Sequence, residues 1–299
     1  MNGLHFNPME GISAELGLRQ RWGNAARLHF DLSGKIRYGF SNNRLSYVGK
    51  AEYTGKPARY EKASLSAGSY PAQFSRFEQI DEGLNSLWAL TEHVSYIRLY
   101  QKGFAELDYE REVLNGFNLG TNLRFEDRFA LTNTSEFGIF ETRGNQYSDN
   151  IQIPGHQALV AAFRIGWQPG NKYLKGPDKK INLRPVWPRL DITLSHAFGS
   201  IAEGASDYST MQASLSDNTR LGIFGNSQWK VEAGRFLRQD QVYFPDLFHQ
   251  KEMKYGQEVR RDLTATSSSP TTADLPPRTM CSYMASMLLR DLFLTKFHC

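Results

Sequence analysis

From Leu28 to Phe40 the chain alternates almost strictly. Leu28, Phe30, Leu32, Ile36, Tyr38 and Phe40 form one row, broken only at Gly34, while His29, Asp31, Ser33, Lys35 and Arg37 form the other. Successive side chains of an extended chain point to opposite faces, so this is a strand with one apolar and one charged side. Thirteen residues at roughly 3.3 Å each reach about 43 Å, about twice the strand length usual in soluble domains. Tilted by about 45°, such a strand rises about 30 Å, enough to cross an outer-membrane apolar band of about 25 Å.

The same period returns along the chain. Ile12, Ala14, Leu16 and Leu18 alternate with Ser13, Glu15 and Gly17; Leu45, Tyr47, Ala51 and Tyr53 with Ser46, Lys50, Glu52 and Thr54. Ala105, Leu107 and Tyr109 oppose Glu106, Asp108 and Glu110, and Phe117 to Phe129 continues the pattern with Asn122, Arg124, Glu126 and Arg128 opposite. Leu159 to Trp167, Leu190 to Leu194, and Leu221 through Trp229 to Ala233 read as further strands. Turns rich in Asn, Gly, Asp and Pro separate them. Tyr38, Phe40, Tyr47, Tyr53 and Trp167 fall near strand ends, where interfacial rings are expected.

Charges recur on one face, strand after strand, which suits a polar lumen inside a lipid-facing wall. The expected fold is all-β: an antiparallel transmembrane β-barrel, partial, of roughly ten strands over residues 1–257. A slip of one residue in the Leu28–Phe40 strand would put Lys35 and Arg37 in lipid, at roughly 2–4 kcal/mol each near the midplane. A soluble all-β binding module is the alternative. One segment departs from period two: between Ile80 and Tyr100, Leu84, Leu87, Trp88, Leu90, Val94 and Ile97 recur at helical spacing. Asp81, Glu82, Glu92, His93 and Arg98 interrupt it, so it reads as a short helix packed against the barrel or closing one end, or as a gating element.

Composition narrows the classes. The 299 residues carry 35 basic and 31 acidic side chains, a net charge of +4, too small and too dispersed an excess for a nucleic-acid partner. Aromatics at 13% argue against a disordered chain. Two cysteines, Cys281 and Cys299, exclude a disulfide framework. The first eight residues lack the basic start and apolar run of a secretory signal. Thr264 to Pro277 is crowded with Ser, Thr, Pro and Ala, so residues 258–299 form an atypical tail, disordered or translated out of the frame of the rest.

Chemistry is sparse. No phosphate loop, HExxH pair or G-x-S-x-G elbow occurs, and no catalytic residue, metal ligand or cofactor is assigned. His29 beside Asp31 reads as a hydrogen-bonded pair. The acidic row Glu106, Asp108, Glu110 and Glu112 is expected to pair with Arg124, Arg128 and Lys230 across a solvated lumen. Ser195 and His196 are adjacent and so point to opposite faces. A barrel-embedded hydrolase would need Ser, His and an acid on one face.

Several segments are familiar. Phe6-Asn7-Pro8-Met9-Glu10-Gly11 carries an Asn-x-x-Glu-Gly start; Asn85-Ser86-Leu87 and Tyr96 to Tyr100 look like a helical stretch leading into a strand. Arg124-Phe125-Glu126-Asp127-Arg128 runs to Leu131-Thr132-Asn133-Thr134, followed by His156 to Pro188, Ser206-Asp207-Tyr208 and Val242 to His249. In this order they resemble a family of outer-membrane proteins from Bacteroidetes-type bacteria, whose barrel of unknown function follows a carboxypeptidase-regulatory-like sandwich. The resemblance implies an outer-membrane location and a non-enzymatic envelope role, in transport or membrane-protein assembly. The partners it implies are the outer-membrane lipid bilayer and the barrel-assembly machinery.

Overall fold

The computed structural model describes residues 3–23, 28–55, 60–74, 80–140, 146–175, 180–182, 187–220 and 226–247. The atypical tail at 258–299, and Leu221 and Ile223, lie outside them. The chain runs β1 (Gly3–Asn7), β2 (Gly11–Gly23), β3 (His29–Gly39), β4 (Arg44–Thr54) and β5 (Lys62–Gln73) into α1 (Glu82–Glu92). Then come β6 (Leu99–Leu114), β7 (Phe117–Ala130), β8 (His156–Trp167), β9 (Tyr173–Lys175), β10 (Lys180–Asn182), β11 (Arg189–Ala197), β12 (Asp207–Arg220) and β13 (Asn226–Gln241). Eleven strands make one antiparallel sheet in the order β1-β2-β3-β4-β5-β6-β7-β8-β11-β12-β13, and β9 and β10 form a separate two-stranded ribbon. The sheet is not closed, so β1 and β13 are its edges.

The period-two rows hold across the sheet. Leu16 pairs with Ile36, Ile36 with Tyr47, Leu65 with Leu107, Leu107 with Leu123, and Phe163 with Leu194, all on one face. This face is bare: Leu18 is 73% exposed, Leu65 56% and Ile36 53%. Buried apolar clusters lie instead at one end of the sheet, where loops and α1 pack. Met9, Ile97, Leu99 and Leu131 form one; Phe6, Ala89 and Tyr147 another; Phe74, Tyr100 and Ile153 a third. Among the described residues no helix is long and apolar enough to cross a membrane, a statement that leaves strands aside.

Helix α1 lies over that end. Asp81 caps its first turn, its carboxylate accepting from the Leu84 amide at 2.9 Å. The face carrying Asn85 and Ala89 is buried, and Leu84, Leu87 and Trp88 stay exposed. Ser86 Oγ accepts the Phe6 amide at 2.8 Å, so the helix supplies a partner to edge strand β1.

Of the late strand expected from Leu221 to Ala233, the part from Trp229 to Ala233 lies in β13, while Leu221 and Ile223 lie outside the described residues. β5, rich in Ser and Ala, carries too little hydrophobic contrast to stand out by period, yet it pairs with β4 and β6 on both sides. Gly68 marks its tightest approach: a Cβ there would sit 2.1 Å from the Tyr47 carbonyl oxygen. Gly68→Ala should therefore lower stability by about 1–3 kcal/mol. Gly34→Ala, whose Cβ would stand 3.8 Å from the nearest atom, should change it by less than about 0.5 kcal/mol. Denaturant titration of the two variants checks the difference.

Candidate functional site

The polar face is a ladder of ion pairs between neighbouring strands and along single ones. Asp31 of β3 receives Arg19 at 2.7 Å and Arg21 at 2.6 Å from β2, with His29 3.7 Å away. The expected His29–Asp31 pair is thus the weakest of three contacts on that carboxylate. Lys35 meets Glu15 at 2.9 Å and Lys50 meets Glu52 at 2.7 Å. The acidic row of β6 lies on this face, with partners other than those expected. Glu106 accepts from Asn122 at 2.6 Å, Asp108 pairs with Arg164, and Glu112 accepts the Gly116 amide at 2.8 Å. Arg124 goes to Glu126 within its own strand, and Lys230 to Glu232. Side chains two apart on one strand share a face, so intrastrand pairing competes with the cross-strand pairing that the sequence suggested.

Toward the capped end the ladder becomes two buried clusters. In the first, Asn7 folds its own turn, with Oδ1 accepting the Met9 and Glu10 amides at 3.1 and 2.9 Å. Its Nδ2 donates to Glu10 Oε2 at 2.8 Å. Glu10 in turn accepts from Arg37 Nε at 3.1 Å and Nη2 at 2.6 Å, and Glu82 of α1 takes Nη1 at 2.6 Å. Gly11 adopts φ +66° with Ser41 so close that a Cβ would lie 2.6 Å from it. The Asn-x-x-Glu-Gly run is therefore a turn that delivers a carboxylate to an arginine 1% exposed.

The second cluster surrounds Arg128, which is fully buried. Its Nε donates to Glu126 at 2.8 Å, and Nη1 donates to Asp246 at 2.9 Å and lies 3.2 Å from His156 Nε2. The His156 Nδ1–H donates to the Pro154 carbonyl at 2.8 Å, which leaves Nε2 to accept from the guanidinium. Ser206 and Tyr208 donate to the Asp246 carboxylate at 2.8 and 3.0 Å, and His156 stacks on Tyr243 at 3.7 Å. The loop after β7 completes the cap. Asn150 Nδ2 donates to the Leu99 and Leu131 carbonyls, each at 2.6 Å, and Thr134 Oγ1 donates to Met9 at 2.9 Å. Tyr147 Oη lies 2.7 Å from the Ala89 carbonyl, and burial, aided by Glu136, pushes its phenol up to about 12.

This arrangement holds structure together; each carboxylate in it already has its donors. Among the described residues no group of three His, Cys, Asp or Glu is placed to hold a metal ion. Ser195 and His196 do take opposite faces, as their adjacency requires: Ser195 pairs with Ala162 on the polar side, His196 with Ala161 on the apolar side. What sequence reasoning missed lies one strand over. His196 Nδ1 stands 2.9 Å from Ser209 Oγ on β12. The pair borders an apolar groove of about 740 Å³ lined also by Leu107, Leu123, Phe163, Leu194 and Leu237.

Removing one partner of a buried ion pair strands the other, at about 3–5 kcal/mol. Asp246→Ala should cost that much in chemical denaturation, because it removes the one carboxylate on which Arg128 Nη1, Ser206 and Tyr208 converge. The double variant Arg128→Met/Asp246→Ala should cost less than the sum of the singles.

No curated protein and no solved structure matches the chain. Residues 1–257 match the family of unknown function (DUF5686) C-terminal domain. Of the segments that carry the resemblance, Asn7 to Gly11 supplies Glu10 to the first cluster, and Glu126, Arg128, His156, Ser206, Tyr208 and Asp246 make up the second. The match spans all but the last 42 residues, and the chain belongs to that DUF5686 C-terminal domain family.

Proposed function

We propose that this domain is the wall of an outer-membrane β-barrel serving envelope transport or the assembly of other membrane proteins. One observation carries the reading: on strand after strand of the sheet, large apolar side chains sit exposed on one face while most charges sit on the other. Soluble sheets bury the apolar face against a second layer, and exposed apolar surface of this extent marks contact with lipid or protein. Here the covering elements pack on the polar side, where Glu82 of α1 reaches Arg37. Strand length agrees, since eleven residues as in β3 and β4, tilted by about 45°, rise about 26 Å, the height of the outer-membrane apolar band.

Refolding the purified chain from urea into lipid vesicles tests it. The expected result is a sheet-rich, protease-protected species whose gel migration changes on heating; a monodisperse protein without detergent would favour a soluble β module instead. Within the same assay Leu32→Arg, on the apolar face, should cost about 2–4 kcal/mol. Ser33→Arg, one residue along on the polar face, should cost less than about 0.5 kcal/mol.

A further inference from the structure

The apolar face carries a serine–histidine pair. His196, near the end of β11, and Ser209, near the start of β12, are a register pair across the two strands. The ring Nδ1 and the hydroxyl oxygen are 2.9 Å apart, and both side chains are half-buried. Around them the face is Ala161, Leu123, Phe163 and Leu194, with Phe198 edge-on to the imidazole at 4.5 Å. A polar pair on an apolar wall costs free energy that Ala or Val at either position would not, and ionisable groups kept in such places are by default functional. A hydroxyl within hydrogen-bond reach of an imidazole is also the minimal geometry of an activated serine.

Two further features suit an ester of a lipid. The groove beside the pair is apolar and large enough, at about 740 Å³, for part of an acyl chain. Arg238 of β13 stands opposite Ser209 in the register, held by Asp240 and, at 3.5 Å, by Asp207. It puts a polar, ion-paired cluster at the end of the apolar face, the level at which a bilayer presents its ester carbonyls and headgroups. Asp207 lies two residues before Ser209 on the same strand, so Ser, His and an acid share this face, although the acid serves the arginine and not the imidazole.

The geometry points to a lipid acyl-ester hydrolase site with Ser209 as nucleophile and His196 as general base; access to lipid rests on the barrel reading. The Ser209 Oγ–carbon bond forms as the hydroxyl proton passes to His196 Nδ1. The tetrahedral adduct then collapses, the ester C–O bond breaks, and the departing alkoxide takes that proton as an alcohol. Water attacks the acyl-serine in the same way, giving its proton to Nδ1, and the carboxylic acid leaves as Ser209 recovers its hydrogen.

The test uses the full chain refolded in detergent and in phospholipid vesicles, with a fluorophosphonate label and a short-chain p-nitrophenyl ester as probes. Wild type should be labelled and should hydrolyse the ester. Ser209→Ala should abolish both, and His196→Gln should slow labelling by about 10²-fold or more. Ser33→Ala, on the polar face of β3 and away from the groove, should leave both unchanged. Release of fatty acid from the vesicles then reads the lipid substrate. A wild type that shows the heat-dependent gel shift yet takes no label overturns this site and leaves the barrel standing. Label on Ser209 without insertion overturns the barrel and the lipid substrate together. Equal labelling of Ser209→Ala removes the assigned nucleophile.

Discussion

Arg128 is the constraint around which the capped end is arranged. A guanidinium never gives up its charge in a protein, and Arg128 has no exposure at all. It persists only where carboxylates and acceptors converge from every side. Glu126 comes from its own strand, His156 from the neighbouring strand, and Asp246 from a short helical turn beyond β13. Meeting that demand pulls the segment after β13 back onto β7 and β8 and fixes the loop between β11 and β12 through Ser206. Arg37 does the same for the N-terminal side, joining the β1–β2 turn to α1 through Glu10 and Glu82. The two arginines thus close one end of a sheet that has no central apolar core to do so.

Faces were legible in the sequence wherever hydrophobic contrast was high. In β3 and β7 a charged residue alternates with Leu, Ile or Phe, and the register follows because a slip would exchange the two faces. β5 hid because Ser64, Ser66 and Ala67 are as compatible with a loop as with a strand; its neighbours, pairing on both sides, decide. Ion pairing was harder to read, because Arg124 has a carboxylate both across the ladder and two residues along its own strand.

The clusters and the serine–histidine pair were beyond reach for a different reason. Arg128 and Asp246 are 118 residues apart, and no periodicity connects them. Segment order flagged their neighbourhoods without saying that they meet. Ser209 and His196 are only 13 apart, yet their contact depends on the length of the β11–β12 connection. Adjacency correctly separated Ser195 from His196 and gave no cause to look across the hairpin.

Ser86 has a consequence for the order in which the sheet assembles. The Phe6 amide it serves lies 80 residues upstream, so the β1–β2 hairpin can pair before α1 has docked. Until the helix is in place, β1 presents a bare amide to any strand nearby, a standing invitation to mispairing. A hydroxyl on a helix is thus also a lock on an open edge, shut only when the cap is assembled.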